Sequence, residues 1–318
     1  MSHWQPTISL KNLQARAHVL DRVRDFFSQR NVLEVETPLV CSHTVTEPNI
    51  KSFSIANMSS GRYLQTSPEY AMKRLLASGA PDIFQICKSF RDGEDGTHHN
   101  PEFTMIEWYR LGYTLEEIMG ETVSLIVEIL NTSDRKLSIG YVTYNELFEK
   151  ILDLSFFDLT EEKIDQLCID HRLQSQHSIT KAQKIDFIFS HYIVPKLDVN
   201  AITCVYYYPA EQAALARLNA LDHSVAERFE VFCGGLELAN GYVELTDPGT
   251  QLARFEKDQL TRKENYLPDI EIDQYLLNAQ KHGLPECAGV AVGFDRLLML
   301  ALEASSIEEV MSFSWKNA

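Results

Sequence analysis

Four stretches of the chain carry residue types whose spacing suits chemistry on charged ligands. Phe90-Arg91-Asp92-Gly93-Glu94-Asp95-Gly96-Thr97-His98-His99-Asn100-Pro101-Glu102-Phe103 sets an arginine at a strand end, before a loop with two glycines and two histidines. Such a loop can fold over a polyphosphate, with the guanidinium as a bidentate fork and histidine as a further donor. On the strand that follows, Phe103, Met105, Glu107 and Tyr109 share one face, and Glu102, Thr104, Ile106 and Trp108 the other. If Glu107 and Tyr109 face a pocket, an anion and a hydroxyl lie side by side, an arrangement suited to an ammonium group. In the run Arg228–Leu245, Gly234-Gly235 signals a two-residue hairpin turn. That register pairs Glu230 with Ala239 and Phe232 with Glu237, leaving Glu230 and Glu237 as diagonal neighbours roughly 7–8 Å apart. Two carboxylates so placed repel unless a cation lies between them, and Mg²⁺ carried by nucleotide phosphates is the natural one. Last, Cys287–Leu297 is a glycine-punctuated strand running into a helix with Arg296 in its first turn. The glycines admit close backbone approach, as a flat adenine ring needs. An arginine at a helix N-terminus opposes the dipole and points to a bound anion. Each stretch also has a plainer reading: a solvated hairpin loop, a surface ion pair beside a core tyrosine, two solvent-facing glutamates, a common G-x-G pattern.

These residues need a scaffold. Leu13, Ala17, Leu20, Val23 and Phe27 recur at helical spacing within 11–30. Val32–Pro38 alternates as a short strand, and 42–60 reads as loop. Ser67-Pro68-Glu69 opens a helix that Gly79 closes. Asp82–Phe90 and Glu102–Arg110 read as strands joined by the loop Arg91–Pro101. Helical patterns cover Thr160–Arg172 and Thr180–Ile193, and strands follow at Ile202–Tyr208, Glu227–Cys233 and Leu236–Leu245. A final helix follows Asp295. Two strand-rich blocks around a helical insertion predict an α+β domain over 1–318 with a mainly antiparallel sheet flanked by helices.

The composition narrows the class. The 318 residues hold 29 Lys+Arg against 45 Asp+Glu, a formal charge of −16, with 45% hydrophobic residues. This is ordinary globular composition, and the charge opposes coating of nucleic acid. The cysteines at 41, 87, 168, 204, 233 and 287 form no C-x-x-C or zinc spacing and read as free thiols in a reducing cytoplasm. Met1–Leu10 does not read as a signal peptide, and Gly289–Ala301 is too short and too charged to span a bilayer.

Together, in this order, the stretches resemble the catalytic core of class II aminoacyl-tRNA synthetases, and within them the lysyl branch. Leu33–Pro38, within about 32–40, looks like motif 1, the dimerisation motif. Phe90-Arg91 through Asn100–Met105 and Glu107, within about 88–109, looks like motif 2. Gly289 through Gly293-Phe294-Asp295-Arg296-Leu297, within about 288–302, looks like motif 3. Glu237–Leu245 is similar to the lysine-specific stretch. The N-terminal OB-fold that reads the anticodon in lysyl-tRNA synthetases has no counterpart here. The resemblance is therefore closest to the truncated lysyl-tRNA synthetase paralogues that modify elongation factor P.

The resemblance implies roles by position. Ser67, Pro68 and Glu69 bind the amino group nearer the substrate carboxylate, and Tyr109 and Glu244 hold the distal ammonium, supported by Glu107. Arg91 and Arg296 grip phosphates; Asp92, Gly93, His99 and Asn100 line the ATP site; Leu238 and Gly293 pack near the nucleotide; Glu230 and Glu237 match Mg²⁺ positions. Three positions depart from lysyl-tRNA synthetases. Asp92-Gly93 replaces Asn-Glu, with Glu94 able to shift in; His98 replaces Arg; and Ala291 replaces Gly, its methyl entering the amino-acid pocket.

The implied reaction is attack of the substrate carboxylate on the α-phosphate of ATP, then transfer of the acyl group from the adenylate to a protein lysine. The expected substrates are (R)-β-lysine, with α-lysine a poorer one, and elongation factor P, acted on by a cytoplasmic homodimer that binds neither membrane nor, stably, tRNA. Arg62, Lys73, Arg74 and Lys88 are the basic residues near the site in sequence for an acidic acceptor. Two other readings remain at this level: lysylation of tRNA through its acceptor stem, and a catalytically inactive regulatory binding protein.

Overall fold

The computed structural model describes residues 4–56, 61–131, 137–171 and 180–318. Met1–His3, residues 57–60 of the predicted loop and Arg172 of the predicted helix lie outside these. The chain gathers into two compact units. One comprises Met1–Asp134, Leu215–Arg217 and Gly241–Ala318; the other comprises Arg135–Ala214 and Leu218–Asn240.

The first unit begins with helix α1 (Leu10–Ser28), whose N-cap Ser9 accepts from the Asn12 amide at 3.1 Å. Its buried face is Val19, Val23, Phe26 and Phe27, whereas Leu13 is 40% exposed. The apolar stripe predicted for this helix therefore enters the core only in its C-terminal half. Strand β1 (Leu33–Glu34) is shorter than the predicted Val32–Pro38. Two short strands, β2 (Val40–Cys41) just before the predicted loop and β3 (Ser54–Ile55) within it, flank β4 (Arg62–Leu64) in a separate sheet. Helix α2 (Glu69–Ala77) follows, then β5 (Ile83–Phe90), β6 (Glu102–Leu111) and α3 (Leu115–Leu130). Phe27 stacks on Phe84 at 4.4 Å and meets Trp108 edge-on at 5.1 Å, which seats α1 against β5 and β6.

The second unit holds β7 (Ser138–Thr143), α4 (Tyr144–Leu152), α5 (Glu161–Asp170), α6 (Lys181–Ile188), β8 (Ala201–Pro209), β9 (Val225–Cys233) and the start of β10 (Leu236–Val243). Its core is aromatic: Tyr144, Phe148, Phe156, Phe189 and Tyr208 cluster, with Tyr144 within 4.9 Å of both Phe148 and Phe189. Gly234 and Gly235 both have positive φ, 60° and 78°, as the two-residue turn between β9 and β10 requires.

The chain returns to the first unit along β10 and adds α7 (Pro248–Glu264), α8 (Gln274–Gly283), β11 (Cys287–Gly293) and α9 (Phe294–Leu302). In the first unit the strands run β1-β5-β6-β11 and then the end of β10; in the second they run β10-β9-β8-β7. β1 is parallel to β5 and β7 to β8, whereas β5–β6, β6–β11 and β8–β9 are antiparallel. The architecture is α+β, with a mixed sheet that is mainly antiparallel and flanked by helices, as the strand pattern predicts. Helices α3, α4, α7 and α8 had no counterpart in the predicted pattern. Two of them open on a capping box, Thr114 with Glu117 and Thr143 with Glu146, a signal present in the sequence itself. The Arg16 guanidinium ties the first unit's two ends together. It reaches Asp295 Oδ1 at 2.6 Å, Thr104 Oγ1 at 2.7 Å and the Val310 carbonyl at 2.9 Å.

Candidate active site

The β6–β11 ladder builds one wall of a pocket. It pairs Tyr109 with Gly289, Glu107 with Ala291 and Met105 with Gly293, so these six residues share a face. Tyr109 and Glu107 are both 2% exposed, and the Tyr109 hydroxyl donates to Glu107 Oε1 at 2.7 Å. The anion and hydroxyl expected side by side are thus bonded to each other. Ser67, just before α2, donates to the other Glu107 oxygen at 2.8 Å and accepts from the Glu69 amide at 3.1 Å. That second bond caps α2 where Pro68, its N-cap residue, has no side chain to do so. One hydroxyl therefore fixes both the helix start and a pocket carboxylate.

Three carboxylates converge here. Burial raises the Glu107 pKa to about 8, and the charge of Glu69 adds to the rise. The hydrogen bonds from Tyr109 and Ser67 pull the other way. Glu244, at the end of β10, is 1% exposed, and its amide is anchored on the Cys287 carbonyl at 2.9 Å. Burial raises its pKa as well, partly offset by the Lys73 ammonium. Lys73 lies 2.5 Å from Glu244 Oε2 and 2.6 Å from Glu69 Oε1. Neither Glu244 oxygen accepts a well-aligned hydrogen bond, and of the two only Oε2 has the Lys73 ammonium beside it, which leaves the buried Oε1 bare. A buried acceptor left bare is costly, which marks it as the place for a ligand's donor.

Lys73 and Gly289 are the residues whose neighbours sequence reasoning missed. Lys73 reads from sequence only as one of the basic residues near the site, its placement open; it is 1% exposed and held between two carboxylates. The i, i+4 spacing from Glu69 on α2 was the available signal. Gly289 was expected to admit an adenine ring. Its close neighbours are instead the pocket's own groups: a Cβ there would lie 2.3 Å from Tyr109 Cε1 and 2.6 Å from Glu244 Oε1. Ser67 and Glu69 also border a cleft of about 300 Å³ lined by Arg62, Arg74, His43 and Tyr275.

The loop between β5 and β6 carries the expected nucleotide residues. Arg91 lies over the Phe103 ring at 5.2 Å and 3.5 Å from Glu94. Asp92 pairs with Lys51, and Gly93 holds φ at 85°, open to glycine at no steric cost. The Asn100 amide is spent on structure: it donates to the Glu102 carbonyl at 2.6 Å and accepts from the Trp315 amide at 2.9 Å. Arg296, in the first turn of α9 after N-cap Gly293, meets His99 Nε2 at 2.5 Å and the His98 carbonyl at 3.2 Å. Two arginines, Arg91 and Arg296, thus belong to this loop and the helix over it.

In the second unit, Glu230 on β9 is buried, accepts from the Tyr208 hydroxyl at 2.7 Å and pairs with Arg228. Burial raises its pKa; Arg228 opposes this, and repulsion from Glu237 adds to it. Glu237 on β10 is exposed, and Leu238 beside it is buried. Among the described residues no cluster of three or more His, Cys, Asp or Glu could chelate an ion by itself. A pair of carboxylates fits a cation whose remaining ligands come from phosphate oxygens and water. All six cysteines are free thiols, and among the described residues no helix is long and apolar enough to cross a membrane.

A family model described as tRNA synthetases class II (D, K and N) matches residues 4–317. Curated proteins named elongation factor P–(R)-β-lysine ligase are similar over nearly the whole chain. That of Pasteurella multocida (strain Pm70) is 41% identical over 322 residues, covering 99% of this chain and 98% of its own. That of Pectobacterium carotovorum subsp. carotovorum (strain PC1) is 42% identical over 328 residues, with 99% and 98% covered. That of Haemophilus ducreyi (strain 35000HP / ATCC 700724) is 39% identical, with 99% and 97% covered.

Proposed function

Because the chain belongs to the class II tRNA synthetase family (D, K and N), we propose that it is an ATP-dependent ligase that activates (R)-β-lysine, and α-lysine less well, and transfers it to the side-chain amine of a lysine in elongation factor P. The single observation that carries this reading is the buried carboxylate pocket with the bare Glu244 Oε1. A pocket with three buried or half-buried carboxylates and one ammonium retains an excess of negative charge that a diammonium ligand offsets. The names of the relatives supply the acceptor.

In this reading Glu244 and Tyr109 receive the distal ammonium, Glu107 reinforces Tyr109, and Glu69 with Ser67 and Pro68 receives the amine nearer the carboxylate. The substrate carboxylate attacks the α-phosphate of ATP, forming the aminoacyl-adenylate and pyrophosphate. Both reactants are anionic, so Arg91 and Arg296 act by positioning and charge neutralisation. Asp92, Gly93, His99, Leu238 and Gly293 shape the nucleotide's surroundings, while Asn100 keeps the loop in place. Glu230 and Glu237 would hold Mg²⁺, which neutralises phosphate charge when bound. An acceptor amine then attacks the adenylate carbonyl and expels AMP. Arg62 and Arg74 at the neighbouring cleft suit an acidic protein acceptor. We place the enzyme in the cytoplasm as a homodimer through the motif 1 region, where Leu33, Leu39 and Val40 are each at least 40% exposed.

The test is incubation with ATP, Mg²⁺, labelled (R)-β-lysine and either elongation factor P or total tRNA. Acid-stable amide label on the factor is expected. Base-labile ester label on tRNA, with none on the factor, would overturn the reading. No label on either, and no lysine-dependent pyrophosphate exchange, would favour a binding protein.

A further inference from the structure

Lys73 is a charged pocket group to which the proposed reaction gives no task. It is one of the three buried residues of α2, with Met72 and Leu76, and its side chain is sealed from solvent. Burial alone would lower its pKa, but the attraction of Glu244 and then Glu69 outweighs burial and holds it charged. A buried ammonium has three N–H donors to satisfy. This one joins two carboxylates carried by different elements, the first turn of α2 and the end of β10. The other titratable groups facing the cluster are Tyr70 from α2, Cys87 from β5, Glu107 and Tyr109 from β6 and Cys287 from β11, and none of them is cationic.

We propose that Lys73 is a positioning residue: its ammonium clamps Glu69 to Glu244 and fixes the spacing of the two carboxylates for a ligand that brings two ammonium groups. Without it, Glu69 and Glu244 are like charges in one low-dielectric site, and the buried Glu244 carboxyl, which Lys73 draws toward ionisation, takes up a proton. The pocket then loses the anion it needs and the rigid spacing between the two receiving carboxylates. With it, the three carboxyl groups Glu69, Glu244 and Glu107 outnumber the one ammonium, which matches a diamino acid and disfavours a monoamino one. The clamp also leaves Glu244 Oε1 bare, because Lys73 is engaged on Oε2 from the α2 side. The inference deepens the proposed function by giving the diammonium preference its structural cause, and the substrate preference rests on that reading. The clamp itself does not.

Two measurements on the full-length protein separate these. The first needs no substrate. Thermal midpoints of the wild type, Lys73→Met and Lys73→Arg are compared from about pH 5 to about pH 8. In Lys73→Met the Glu244 pKa, already raised by burial in the wild type, rises further because the ammonium that opposes burial is gone. Its cost is absent below the unfolded carboxylate pKa of about 4 and grows as pH rises toward the folded value. The gap from wild type should therefore stay level at the acid end, where Glu244 is protonated in both folded proteins, and widen toward the alkaline end as the wild-type carboxyl ionises and the variant's does not; Lys73→Arg should keep it small. A gap independent of pH overturns the clamp, whatever the enzyme's substrate. The second uses Lys73→Ala, with lysine binding read by calorimetry and lysine-dependent pyrophosphate exchange as the rate. Dissociation constant and KM should rise roughly a hundredfold, while KM for ATP stays within about threefold. Added ethylammonium should restore lysine binding saturably, and tetramethylammonium at equal ionic strength should not. Unchanged lysine affinity in the variant overturns the positioning role. A wild type that activates no diamino acid, yet shows the pH-dependent gap, overturns the proposed function and leaves the clamp standing.

Discussion

Gly289 lies directly opposite Tyr109 in the β6–β11 ladder, and the tyrosine ring fills the space that a side chain at 289 would need. The same backbone position abuts Glu244 Oε1, so one glycine lets the hydroxyl and the bare carboxylate share a pocket. Gly289→Ala puts a methyl 2.3 Å from Tyr109 Cε1, too close for contact. Overpacking of this kind costs about 1–3 kcal/mol. A loss of roughly ten- to a hundredfold in kcat/KM for the amino acid is expected in pyrophosphate exchange, with KM for ATP little changed. Wild-type lysine kinetics in this variant would show that Tyr109 is not where the substrate binds.

Ala291 pairs with Glu107 on the same face, so its methyl borders the carboxylate cluster. Removing it with Ala291→Gly should admit the α-amino arrangement better. The ratio of kcat/KM for α-lysine over (R)-β-lysine is expected to rise by about tenfold, in line with about 1–3 kcal/mol of relieved crowding. Parallel adenylation assays with both isomers measure it; an unchanged ratio assigns the selection to another position.

Glu107 holds its proton up to about pH 8 because it is buried beside the charges of Glu69 and Glu244. A diammonium ligand prefers the ionised form, so binding releases a proton and strengthens as pH rises. The logarithm of kcat/KM should climb by about one per pH unit below that pKa and level off above it. Glu107→Gln should flatten the limb. Calorimetry in buffers of different ionisation enthalpy counts the released proton, and zero release between about pH 6 and about pH 7 contradicts the assignment.

Glu237 is exposed while Glu230 is buried under Arg228 and Tyr208. Glu237→Gln should leave stability within about 0.5 kcal/mol, as surface changes do. Pyrophosphate exchange is nevertheless expected to fall at least about a hundredfold, with a higher Mg²⁺ requirement. Exchange at the wild-type rate removes Glu237 from the metal set.

The Arg16–Asp295 pair joins the start of α1 to the first turn of α9, at 13% and 2% side-chain exposure. Asp295 also accepts from the Thr104 amide at 2.6 Å. Asp295→Ala strands a buried guanidinium and should cost about 3–5 kcal/mol. A lowered urea midpoint at unchanged slope is the expected signature.

What could be read along the chain was local. Strand alternation put Glu107 and Tyr109 on one face, because successive side chains point to opposite sides whatever the sheet packs against. Gly234-Gly235 announced its turn, since only a pair of residues tolerant of positive φ joins two strands so tightly. Ser67-Pro68-Glu69 marked a helix start by capping chemistry. Packing between distant segments decided the rest. Lys73 reads on paper as a solvent-facing partner of Glu69 on a helix, and only the end of β10 lying against α2 turns it into a buried bridge to Glu244. Gly289 declares that something comes close, and the sheet register determines that it is a tyrosine ring. Asp295 and Arg16 stand near opposite chain ends, and nothing in either neighbourhood names the other. Ion pairs of this kind depend on desolvation and on angstrom-scale distance, which a sequence sets only after its core has chosen which elements touch.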